Sequence, residues 1–179
     1  MNQPWMLLLP TLFPLLAGLL LLLWPVNHRG ASLFALAASG GAALVCAFLV
    51  RGELVLLHLT PELVLSLRPD GAGRMLVVLV TLVWLLSGVY AGAYMKHQPA
   101  PRRFFGFVLA VYGVLVSLCF AGNLPTFYLF YEMMTLLTFP LVLHDRKRES
   151  VLAGLKYLFY SLCGAYCVLF GFFVLYAHS

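Results

Sequence analysis

Two ionisable side chains stand where a sequence this apolar should carry none. Glu132 lies within Phe127-Tyr128-Leu129-Phe130-Tyr131-Glu132-Met133-Met134, and Lys156 within Gly154-Leu155-Lys156-Tyr157-Leu158. A charge near the centre of a membrane helix costs ~2.5–3.5 kcal/mol on insertion scales, so an acid retained there points to function. Alone in hydrocarbon such a carboxyl group is neutral, and a cation brought close restores its charge. A group whose charge depends on a neighbour can take up and release a proton as that neighbour moves. The structural alternative is a protonated Glu132 that only holds two helices together. Lys156 is either a proton relay or an anchor whose long stem snorkels to the membrane edge. Tyr128, Tyr131, Thr135 and Thr138 flank the acid; they could line a wet path or simply pack.

Other chemistries lack their residues. The five histidines, His28, His58, His97, His144 and His178, fall in loops or at helix ends. Paired haem ligands on facing helices are therefore not expected. Cys46, Cys119, Cys163 and Cys167 all lie in apolar runs without a CxxC pair or a zinc spacing, which makes them small packing residues. No nucleotide loop or Ser-His-Asp set occurs. No metal or other cofactor site is expected, and no basic tract is long enough for nucleic acid.

The elements that position these residues follow from composition. Of 179 residues, 63% are hydrophobic and 9% charged, and the mean hydropathy is +0.99. Soluble domains carry about 25% charged residues. Spans of ~20 apolar residues match a ~30 Å bilayer core. The runs predict an all-α integral membrane protein with helices over about 5–24, 31–50, 75–94, 104–121, 125–143 and 151–176 in a single transmembrane domain. The first span has no basic leader and no small-residue cleavage site, and is expected to be retained. Pro10 and Pro14 are candidate kinks in it, and Gly88 and Gly92 form a GxxxG packing face on the third. Such a face leaves room for one further reading, a small transporter that self-associates through it.

Residues 51–73 break the helical pattern. Two short apolar stretches flank Thr60-Pro61-Glu62, and they read as a β-hairpin at the membrane surface. An interfacial helix is the alternative, against which Pro61 weighs.

Basic residues favour the cytoplasmic side. Loops one, three and five hold Arg29, Lys96, Arg102, Arg103, Arg146, Lys147 and Arg148, seven against the three of Arg51, Arg68 and Arg74. Both termini and the hairpin are expected outside. Glu132 then lies about eight residues into the fifth helix, ~12 Å from its outer edge. Lys156 lies ~8 Å from the cytoplasmic edge, so the two differ in depth by ~9 Å.

The stretches Phe104-Phe105-Gly106-Phe107, Ala121-Gly122-Asn123-Leu124, Phe127 to Leu136 and Leu155-Lys156-Tyr157-Leu158 resemble one family, as does Arg68-Pro69-Asp70-Gly71 before the third helix. It comprises the antiporter-like proton-pumping membrane subunits of respiratory complex I, Mrp-type cation/proton antiporters and membrane-bound hydrogenases. The resemblance implies that Glu132 is the family's functional carboxylate and that Lys156 matches a lysine at the start of the sixth helix. It implies a non-catalytic membrane subunit of a translocase of the NADH:quinone oxidoreductase or hydrogenase type, in an energy-coupling membrane such as the bacterial inner membrane. Family members have about fourteen helices in inverted repeats, with a lysine on a broken seventh helix as partner to the acid. Only six helices are present here. Other membrane subunits would be the partners, one of them supplying a lysine near Glu132. A non-conducting structural subunit of such a complex is the alternative.

Overall fold

The computed structural model describes residues 4–23, 29–58, 63–95, 100–144 and 148–177. A 3-10 turn, Pro4–Leu8, continues into α1 (Leu9–Leu23). Then follow α2 (Arg29–Leu49), strands β1 (Leu54–His58) and β2 (Val64–Leu67), α3 (Gly71–Tyr94), α4 (Pro101–Cys119), α5 (Leu124–Val142) and α6 (Arg148–Ala177). Among the described residues, six α-helices and one small antiparallel strand pair make up the all-α membrane architecture. Five helices among the described residues are long and apolar enough to cross a bilayer. The sixth, α5, has 19 residues, but its Tyr, Thr and Glu side chains dilute its apolarity.

Helix starts fall before the apolar runs. The expected start of the third helix, 75, moves back to Gly71, because the Asp70 side chain accepts the Gly73 N–H at 2.6 Å. Such a cap satisfies a donor that the helix itself cannot. The fourth starts at Pro101 rather than 104, where the missing proline N–H is harmless. The sixth starts at Arg148 rather than 151. Apolar runs mark the contact with lipid; caps mark where the backbone begins to turn.

The core is centred on α4, which packs most extensively against α1. Their backbones meet through glycine: a Cβ at Gly18 would stand 2.5 Å from the Gly106 carbonyl oxygen. Pro14 sits inside α1 with its ring against Gly113 of α4. Polar side chains find partners across α1–α4 and α3–α4. Ser117 Oγ donates to Thr11 Oγ1 at 2.7 Å, Thr81 Oγ1 and the Tyr112 hydroxyl lie 2.8 Å apart, and Trp84 Nε1 donates to the Val108 carbonyl at 3.1 Å. In lipid each such group needs a partner within the protein.

Among the described residues of this stretch, β1 and β2 pair antiparallel as expected of a hairpin rather than forming an interfacial helix, with Leu54 opposite Leu67, His58 opposite Val64, and a register shift between Val55 and Leu57. Its turn, with Pro61, lies outside the described residues. β2 is tied to the α4–α5 turn: the Arg68 N–H donates to the Phe120 carbonyl at 2.7 Å and the Gly122 N–H to the Ser66 carbonyl at 2.8 Å.

At the other edge, α6 packs against α5 as its principal neighbour. Only 6% of its membrane-length window is buried, against 56% for α4. It presents Phe159, Tyr160, Tyr166, Phe170 and Phe173 outward. The cysteines divide accordingly. Cys46 is buried and donates its thiol to the Met6 carbonyl at 3.3 Å, whereas Cys163 and Cys167 lie on the bare face of α6 rather than in the packing.

Candidate functional site

Asn123 starts the helix that carries the acid. Its Oδ1 accepts the Thr126 N–H at 3.0 Å, and Pro125 occupies the first turn. Its amide also donates to the Val64 carbonyl, while Thr126 Oγ1 accepts the Ser66 N–H at 2.9 Å. The N-terminus of α5 is thereby bound to β2 before the helix enters the bundle.

From that start, Glu132 stands ~12 Å along α5 at 1.5 Å per residue, near the middle of the helix. It is half-buried, and its Oε1 is buried with no hydrogen-bond partner among the described residues. The Tyr128 side chain stands one turn earlier on the same face of α5. Both line a cleft of about 430 Å³, whose other walls include Leu63 and Leu65 from the hairpin, Leu129 from α5, and Leu169 and Phe172 from α6. The Tyr128 ring meets Phe172 edge-on at 6.0 Å. Within the cleft, Glu132 and Tyr128 are the polar lining residues.

The other candidates lie elsewhere. Tyr131 is outside the cleft lining and stacks on Phe127 at 6.5 Å. Thr135 is buried one turn beyond Glu132, facing α6, where it accepts a hydrogen bond from Ser161 Oγ at 3.3 Å. Lys156 is exposed on α6. Three contacts set the antiparallel register of the two helices: Tyr128 with Phe172, Thr135 with Ser161, and Thr138 with Tyr157. Lys156 therefore sits level with Phe139, ~10 Å along the axis from Glu132, and the two do not meet directly.

Gly88 and Gly92 of α3 both face α2. A Cβ at Gly92 would touch Leu33 Cδ1 at 3.4 Å, and one at Gly88 would collide with Leu36. The GxxxG face is thus filled within the chain. Among the described residues no group of three or more His, Cys, Asp or Glu side chains could hold a metal ion.

Sequence reasoning passed over Ser161 and Tyr157, whose hydroxyls meet those of Thr135 and Thr138. The signal was present: threonines three apart on α5 face hydroxyls four apart on α6. It becomes readable only once the helices are laid antiparallel.

Residues 121–179, with Glu132 and Lys156, match the family model described as NADH:quinone oxidoreductase/Mrp antiporter, TM. Residues 60–105 match that of NADH-Ubiquinone oxidoreductase (complex I), chain 5 N-terminus. The N subunit of NADH-quinone oxidoreductase from Desulforudis audaxviator is 32% identical over 95% of this chain. The chain belongs to this antiporter-like family. Further relatives include the A/B component of a probable K(+)/H(+) antiporter from Rhizobium meliloti, 34% identical over 73% of the chain. Hydrogenase-4 component B of Escherichia coli is 26% identical over 63% of it. The alignments span 35% of the quinone oxidoreductase relative, 14% of the antiporter relative and 17% of the hydrogenase relative. All three branches of the family resembled in sequence are thus represented, with this chain matching a minor part of each relative.

Proposed function

We propose that the chain works as a membrane subunit, or a split piece of one, in a redox-linked proton-translocating or cation/proton antiporter complex. Glu132 is the group that takes up and releases the proton. One observation carries this reading: a buried carboxylate oxygen with no partner among the described residues, in an apolar cleft at the edge of the bundle. An unsatisfied buried acceptor costs about 1–3 kcal/mol, and more when charged. A basic side chain from a companion subunit would remove that penalty and make the charge on Glu132 depend on the neighbour. The thinly buried α6 lies on the same side of the molecule and is the surface such a companion would cover. Lys156, at the far end of the α5–α6 seam, is assigned to the cytoplasmic side. That orientation follows from the basic loops and sets the hairpin and both termini outside.

Glu132→Gln in the assembled complex tests the reading. Proton translocation should be lost while assembly and redox turnover without pumping persist. Unchanged pumping would favour a non-conducting structural role. A structure of the complex with only apolar neighbours at the carboxylate would remove the companion lysine.

A further inference from the structure

Between Glu132 and the level of Lys156, the α5–α6 seam carries a row of hydroxyls. Ser161 Oγ donates to Thr135 Oγ1 at 3.3 Å, and Thr135 Oγ1 donates to the Tyr131 carbonyl at 3.3 Å. Further along, Thr138 Oγ1 lies 3.0 Å from the Tyr157 hydroxyl and donates to the Thr135 carbonyl at 2.9 Å. The single Thr138 proton is thus engaged, which makes the Tyr157 phenol the donor in their pair. The two threonine protons then point back along α5 toward the Glu132 end, and the Tyr157 and Ser161 protons cross the seam to them. The row opens at Thr135, three residues past Glu132, and closes at Tyr157, the residue after Lys156. Along α5 it covers ~9 Å from Glu132 to Thr138.

Packing alone does not call for this composition. Val, Ala and Phe would fill the same shapes without polar atoms to satisfy in lipid. Thr135 and Thr138 each have a carbonyl of their own helix as acceptor, an arrangement common for threonine in helices. Tyr157 and Ser161 instead reach across to the neighbouring helix.

We propose that Tyr157, Thr138, Ser161 and Thr135 form a hydroxyl relay carrying protons between the Lys156 end of the seam and Glu132. The proposal rests on the reading of Glu132 as a proton-exchanging group. A proton reaching the Tyr157 oxygen releases the phenol's own proton to Thr138. Thr138 turns about χ1, a rotation for which threonine in a helix has two populated wells. Its displaced proton leaves the Thr135 carbonyl for Ser161 Oγ, whose own proton passes to Thr135 Oγ1. Thr135, a same-face neighbour of Glu132 at i+3, then turns its own proton from the Tyr131 carbonyl to the carboxylate. Each hydroxyl oxygen ends with the one proton it began with, the carboxylate gains one, and the rotors turn back to reset the row.

The test is proton uptake by sealed vesicles containing the assembled complex. Tyr157→Phe and Thr138→Val should each lower the rate by about a hundredfold or more, the scale of losing a positioned proton-transfer group. Thr138→Ser should restore it, and Tyr160→Phe, an exposed α6 hydroxyl outside the row, should leave it unchanged. If Glu132→Gln abolishes uptake while Tyr157→Phe, Thr138→Val and Ser161→Ala run at the wild-type rate, the relay is wrong and the carboxylate reading stands. If Glu132→Gln itself runs normally, that reading falls too. A loss in Thr138→Val that Thr138→Ser does not repair marks a packing role and overturns the relay.

Discussion

The amide of Asn123 donates to the carbonyl of Val64, and the same side chain caps α5 through its other atom. The helix carrying Glu132 and the strand beside its cleft are therefore fastened at one residue. Leu65, next to Val64 on that strand, lines the cleft, as does Pro125 in the first turn of α5.

Two substitutions separate the roles of Asn123. Asn123→Ala removes cap and strand tie together and should lower stability by about 1–2 kcal/mol, the usual cost of a lost N-cap plus a hydrogen bond. Asn123→Asp keeps the cap acceptor and loses only the donor. Hydrogen exchange should then show faster exchange in β2 for both variants, with the first turn of α5 loosened only in the alanine variant. Equal protection of β2 in all three proteins would show that the tie is unimportant.

Replacing Glu132 by Leu should move stability and transport in opposite directions. The substitution removes from an apolar cleft a buried oxygen with no partner among the described residues, a change worth about 1–3 kcal/mol in favour of the folded chain. The purified chain in detergent should melt at a higher temperature than the wild type, while the complex containing it ceases to pump. A lower melting temperature would mean that the carboxylate makes a stabilising contact within the chain itself.

The α1–α4 crossing supplies a third test. A methyl group at Gly18 has no room beside the Gly106 carbonyl, whereas one at Gly164 or Gly171 of α6 meets nothing within 4 Å. Gly18→Ala should destabilise by about 1–3 kcal/mol, as overpacking does. Gly164→Ala and Gly171→Ala should be neutral or stabilising by up to about 1 kcal/mol, the helix-propensity difference. Melting curves of the purified chain in detergent rank the three; a neutral Gly18→Ala would mean that the helices can separate there freely.

These relationships differ in how far the sequence reveals them. Helices are legible because a bilayer demands long apolar runs, and Glu132 is legible because it interrupts one. The hairpin is legible from β-branched residues around Pro61. Helix starts are less so. Asp70 and Asn123 act as caps through hydrogen bonds that hydropathy does not register, so the third helix begins four residues before its apolar run. The hydroxyl row is hidden for another reason. Ser161 and Tyr157 look like ordinary packing residues until the α5–α6 register places them against Thr135 and Thr138. The exposure of Cys163 and Cys167 depends on which helices lack neighbours, and no local pattern encodes that.

Those two cysteines test the proposed companion surface. Cys163 and Cys167 are one turn apart on the bare face of α6, while Cys46 is buried. A lipid-soluble thiol reagent should label the α6 pair in the isolated chain and leave Cys46 unmodified. In the assembled complex a companion lying along α6 would shield the pair, and labelling should fall several-fold. Labelling retained at its full rate in the complex would mean that lipid alone covers this face. The cation for Glu132 would then have to arrive by another side of the cleft, between the hairpin and α5, where Leu65 and Leu124 stand.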